Sequence, residues 1–148
     1  MDTCWSRLEG IELTLILLKF YFKFMSNSNL ILKESLVVSC GSNGELYKLI
    51  VSESEMLIEQ QFKFHERAIN KIDFHPHEPS ILISGGQDGI IKLIDFRVRD
   101  SNVVSIFKHD AEDKVTDIQF NPTSSMSHQF ASGSENGLAF VSFWANLI

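Results

Sequence analysis

The chain is 148 residues long, 44% hydrophobic and 22% charged, a composition that suits one globular unit. Its formal net charge of −6 provides no basic face for a phosphate backbone, so no nucleic-acid partner is expected. Cys4 and Cys40 are too few for a disulfide framework or a paired metal spacing, which fits a reducing compartment.

Residues 1–32 form an apolar leader. Glu12, Lys19 and Lys23 interrupt its apolar run, which falls short of the ~20 residues a spanning helix needs, so no transmembrane segment is expected. Asp2 and Glu9 accompany Arg7, and no small-residue cleavage site follows, so the stretch makes a poor secretion signal. Phe20, Phe22 and Phe24 alternate with Tyr21 and Lys23 as in a strand, while Ile11, Leu15, Leu18 and Phe22 equally suit a helix. A strand or an unstructured leader is expected, closed by the polar run Ser26-Asn27-Ser28-Asn29.

The rest of the chain repeats itself. Ser39-Cys40-Gly41-Ser42-Asn43-Gly44 returns as Ser84-Gly85-Gly86-Gln87-Asp88-Gly89 and again as Ser132-Gly133-Ser134-Glu135-Asn136-Gly137. The turn glycines are spaced by 45 and then 48 residues, the period of a stacked repeat. An Asn-Gly or Asp-Gly pair between apolar runs signals a tight β-hairpin, here expected as the type I′ form.

In the first copy, Leu36-Val37-Val38-Ser39 and residues 45–50 read as strands, with another near 56–64. Its own first strand is missing unless the Phe-rich leader supplies it. The middle copy is clearest: Ile69, Ile72 and Phe74 mark one strand, ended by His75-Pro76-His77-Glu78-Pro79, where proline forbids a continuing ladder. Ile81-Leu82-Ile83-Ser84 is apolar throughout, as in a strand buried on both faces. Residues 90–94 and 103–107 supply a third and a fourth strand, and four antiparallel strands per period is the layout of a propeller blade. The third copy offers Val115, Ile118 and Phe120, then Gln129-Phe130-Ala131-Ser132, and stops mid-blade.

His65, Ile69, Ile72, Phe74, Pro76, Ser84, Gly85, Asp88, Gly89, Ile94 and Asp95 together resemble a WD repeat, with Ile94 where the name-giving Trp would stand. The resemblance covers residues 33–142, while residues 143–148 diverge and Trp144 comes too late to be the missing Trp. It implies an all-β chain of WD-repeat propeller blades, one full and two partial, in an incomplete ring. It also implies that His65, Ser84 and Asp88 form a buried hydrogen-bonded set, with Gly89, Ile94 and Asp95 completing that copy. Ser39, Asn43 and Gly44 are the matching positions of the first copy, and Ser132, Asn136 and Gly137 those of the third. Ile94 offers no indole N–H, Asn43 and Asn136 accept bonds without charge, and His109 lies two residues too early, so each blade is expected to be less rigidly tied than the family's best examples.

Within that family, residues 65–76 and 83–97 resemble the WD-repeat subunits of GATOR complexes, most tellingly in Gln87-Asp88-Gly89 and Asp95-Phe96-Arg97. This implies a non-catalytic scaffold, without cofactor, in an amino-acid-sensing assembly that regulates target-of-rapamycin signalling and autophagy. Its partners would be other propeller subunits. Its place would be cytoplasmic, peripheral at the lysosomal membrane through those partners. Binding would use the loops at 78–80 and 97–101 and exposed blade edges. The repeat alone equally suits another WD adaptor, such as a substrate receptor of a ubiquitin ligase. A ring needs 4–8 blades, so the chain is expected to be a fragment without independent function, or to complete its ring with identical chains.

Other chemistry is weak. His75-x-His77 has a metal-compatible spacing but no third ligand and reads as an exposed turn. Asp110-Ala111-Glu112-Asp113 reads as a solvated loop, and Glu53, Glu55 and Glu59 as a solvated bend and strand exit. Ser84, His65 and Asp88 have the residue types of a hydrolase triad but lack a Gly-x-Ser-x-Gly elbow. The glycine-rich run 84–89 lacks the Lys-Ser/Thr of a phosphate loop. No catalytic, cofactor-binding or metal residue is expected.

Overall fold

A computed structural model describes residues 15–21, 36–51, 56–98, 102–108 and 113–144. The three glycine turns organise them into three antiparallel sheets. The first holds β1 (Leu15–Tyr21), β2 (Leu36–Gly41), β3 (Glu45–Val51) and β4 (Met56–Lys63) in chain order. The second holds β5 (Ile69–Phe74), β6 (Ile81–Gly86), β7 (Ile90–Asp95) and β8 (Val103–Lys108). The third holds β9 (Val115–Phe120), β10 (Gln129–Ser134) and β11 (Ala139–Phe143), with a 3-10 turn at Ser124–Met126 between β9 and β10.

The leader supplies the strand that the first copy lacked. β1 runs antiparallel to β2, with Leu18 opposite Ser39 and Tyr21 opposite Leu36. The first sheet thus reaches back to Leu15, ahead of residue 33, where the resemblance was expected to start. The expected one full and two partial blades become two four-stranded sheets and one of three strands. β11 continues the third copy as far as Phe143, which pairs with Gln129. Glu53, Glu55, His109 and Asp110 lie outside the described residues.

The hairpin connections differ from the expected two-residue type. Cys40 pairs with Leu46 and Gly85 with Ile91, which leaves three-residue loops at 42–44 and 87–89. The bonds Gly44 N–H to Gly41 O, Gly89 N–H to Gly86 O and Gly137 N–H to Ser134 O close the three turns. Gly44, Gly89 and Gly137 follow at φ of 80°, 72° and 85°, the left-handed conformation that a turn followed by a bulge requires.

The sheets stack face on face. Val38, Cys40 and Leu46 of the first pack against Ile69, Ile72, Phe74, Leu82 and Ile94 of the second. Ile81, Ile83, Ile91 and Leu93 of the second pack against Val115, Ile118, Phe120 and Phe130 of the third. All six residues of β6 are buried, as expected of a strand covered on both faces. A Cβ on Gly85 would come within 2.5 Å of Val115 Cγ1, so the missing side chain lets the third sheet close on the second.

Candidate functional site

The most highly organised polar group lies at the turn end of the second sheet. His65, 1% exposed, leads into β5. Its Nδ1 lies 3.0 Å from both Asp88 oxygens and its Nε2 2.8 Å from Ser84 Oγ. Asp88 Oδ1 also accepts the Ile90 N–H at 3.1 Å, and Oδ2 the Glu66 N–H at 3.2 Å. These contacts suit a neutral imidazole whose Nδ1–H donates to Asp88 while the Ser84 hydroxyl donates to Nε2. Burial lowers the His65 pKa against the opposing pull of Asp88. Burial raises the Asp88 carboxyl, but the bonds from His65, Ile90 and Glu66 outweigh it and leave the group below its ordinary value. Ser84 is 0% exposed, so its oxygen serves the clasp and faces no cleft.

The other two turns keep the backbone half of this device. Asn43 Oδ1 accepts the Glu45 N–H and Asn136 Oδ1 the Leu138 N–H, each at 3.1 Å, as Asp88 does for Ile90. Asn136 Nδ2 donates to Asp113, which stands 23 residues before it, the separation of His65 and Asp88. Asp113 thus fills the histidine's place in the third sheet. From sequence this residue reads as part of the solvated acidic run 110–113, and the lead-in to β9 is shorter than that to β5. Ser39 is 2% exposed and its Oγ has no partner among the described residues. No histidine precedes Ser39 in the chain. Ser132 is buried as Ser39 and Ser84 are.

The first two turns also press on the lead-in to the next sheet. Gly44 O accepts the Phe64 and His65 N–H groups, and a Cβ on Gly44 would lie 2.1 Å from His65 O. A Cβ on Gly89 would stand 3.0 Å from Asp113 O. Further bonds cross the seam between the second and third sheets. Asn70 Nδ2 donates to Val115 O at 2.8 Å, Lys71 pairs with Asp117 at 2.9 Å, and Asp73 accepts the Phe120 N–H at 2.9 Å.

At the opposite end, Ile94 is wholly buried, with Phe62, Phe96 and Val103 packed against its cluster, so an aliphatic group fills the expected Trp position. Asp95 accepts bonds from the backbone N–H, Nε and Nη2 of Arg97, whose side chain holds the carboxyl below its ordinary range despite burial. Arg97 also reaches Glu78 at 3.4 Å, a contact between one residue of each of the two loops expected to bind partners. His75 is 3% exposed rather than part of an exposed turn. Its Nδ1 accepts the His77 and Glu78 N–H groups at 3.2 and 2.8 Å, and its ring abuts Phe120 and Trp144. Two backbone donors on Nδ1 leave that nitrogen no lone pair for a metal. Among the described residues no group of three His, Cys, Asp or Glu side chains is placed to hold a metal, and no helix is long and apolar enough to cross a membrane.

The WD domain, G-beta repeat family matches residues 57–95 and 101–141, more than half of the chain. The chain belongs to the WD-repeat family. Each matched unit takes the outermost strand of one sheet (β4 or β8) and strands of the next, so successive WD units are interlocked across the seams. The chain is 36% identical over 107 residues to the GATOR2 complex protein WDR24 of Danio rerio, covering 72% of this chain and 13% of that protein. The human protein of the same name is 38% identical over 105 residues, 70% of this chain and 13% of its own length. A third relative, restriction of telomere capping protein 1 of Lachancea thermotolerans, is 36% identical over 89 residues, 50% of this chain and 7% of its own. The chain therefore spans about a seventh or less of the curated relatives it matches.

Proposed function

We propose that this chain supplies WD-repeat blades to a GATOR-type complex and acts there as a non-catalytic scaffold. The observation that carries the reading is its likeness to proteins named as GATOR2 subunits over about 70% of its length. The geometry agrees with a scaffold: the Ser-His-Asp group is spent on tying a turn, with Ser84 sealed in β6. The partners are other propeller subunits of the complex, met through the rim loops around Glu78 and Arg97 and through outer strands. Through them the chain lies in the cytoplasm, peripheral at the lysosomal membrane, and takes part in relaying amino-acid sufficiency to the target-of-rapamycin kinase and so to autophagy.

Disrupting the gene in its own cells tests this. Kinase output should then fail to follow amino-acid withdrawal and return. A normal response in cells lacking the chain would refute the signalling role.

A further inference from the structure

The two buried histidines of the second sheet differ in what a second proton would do to them. His65 would keep its partners on gaining one, although burial disfavours the charge: Nε2–H would donate to Ser84 Oγ, a hydroxyl that can reverse its role, while Asp88 stays on Nδ1. His75 would not. Its Nδ1 already receives the His77 N–H at 3.2 Å and the Glu78 N–H at 2.8 Å. The ring lies at the seam, centroid to centroid 5.1 Å from Phe120 and 6.0 Å from Trp144. A proton on Nδ1 would face two donors and break both bonds.

We propose that His75 is an acid-sensitive clasp that holds the β5–β6 loop of the second sheet against the third. The loop carries Glu78, which Arg97 grips, so release of His75 loosens the rim as well as the seam. The Ser127 backbone and Glu78 favour the charged ring, and His77 opposes it. From the facing elements, Phe120, Ser127 and Trp144 bring no charge, and the His128 ring rests against Phe143. Burial is the largest influence and keeps the imidazole neutral, with its pKa below the ordinary value. The clasp is therefore fully made above about pH 6.5 and is lost as pH falls through the lowered folded-state value.

The test is urea unfolding of the 148-residue chain across pH 8 to 5, for the wild type and His75→Asn. The Asn carboxamide oxygen can accept the same two N–H groups but does not titrate. Below pH 6.5 the wild-type unfolding constant should rise by up to about tenfold per pH unit beyond that of the variant. An unchanged acid slope in His75→Asn would overturn the clasp. Should that variant fail to fold, nitrogen NMR of the wild-type imidazole decides. An unprotonated Nδ1 that gains its proton only as the His77 and Glu78 amides shift supports the clasp, and a protonated Nδ1 at neutral pH contradicts it.

Discussion

Asn136 donates to Asp113 across the third turn at the same 23-residue separation at which His65 meets Asp88 in the second. One turn geometry thus holds two different side-chain pairs, a buried imidazole–carboxylate and a more open amide–carboxylate. Removing the buried partner should cost more. Asp88→Ala strands His65 and frees the turn, and is expected to lose about 1–3 kcal/mol in urea unfolding. Asp113→Ala, with Asn136 exposed to solvent, should lose less than about 1 kcal/mol. Equal losses would contradict the assignment.

Acid should weaken the second turn through Asp88. Its folded-state pKa is lowered, so its contribution is fully present above the ordinary carboxylate value of about 4 and disappears as pH falls through the folded value. Asp88→Asn should flatten the stability profile below about pH 4 while leaving the Ile90 bond in place. A wild-type slope in that variant would count against the pair.

The three turn glycines share a left-handed φ but differ in surroundings, and so in the penalty for alanine. Gly137→Ala meets nothing within 4 Å and should cost only the conformational strain, about 1 kcal/mol. Gly44→Ala would also drive a methyl into His65 O and Arg67 O, and should prevent stable folding. Gly89→Ala should fall between them. Thermal melts of the three variants give the order directly.

Ile94 fills the family's Trp position with a side chain that is wholly buried. Ile94→Ala should lose about 2–5 kcal/mol as a cavity opens. Ile94→Trp should also destabilise, by about 1–3 kcal/mol. Ser84 is already bonded to His65, and Phe62, Phe96 and Val103 already pack the space. A gain in stability on Ile94→Trp would show that the site is built for an indole.

Much of this fold is written locally. Gly44, Gly89 and Gly137 mark their turns because no other residue adopts that φ cheaply, and Ile81, Leu82 and Ile83 announce a strand with two covered faces. β1 was ambiguous, since its residues suit two periods and only pairing with β2 selects one. His65, Ser84 and Asp88 were grouped from their resemblance to the repeat, and the structure places them within hydrogen-bond distance. Asp113 and His75 were not legible. A shortened lead-in hid the first, and a proline turn hid the burial of the second, which depends on Phe120 and Trp144, remote in sequence.

The most direct measurement is affinity purification of the tagged chain from its own cells, with the bound proteins identified by mass spectrometry. The account predicts co-purification of GATOR-type subunits, weakened by Gly44→Ala, which removes the folded scaffold. Recovery of a folded chain with ubiquitin-ligase components instead, or with no propeller subunit at all, would contradict it.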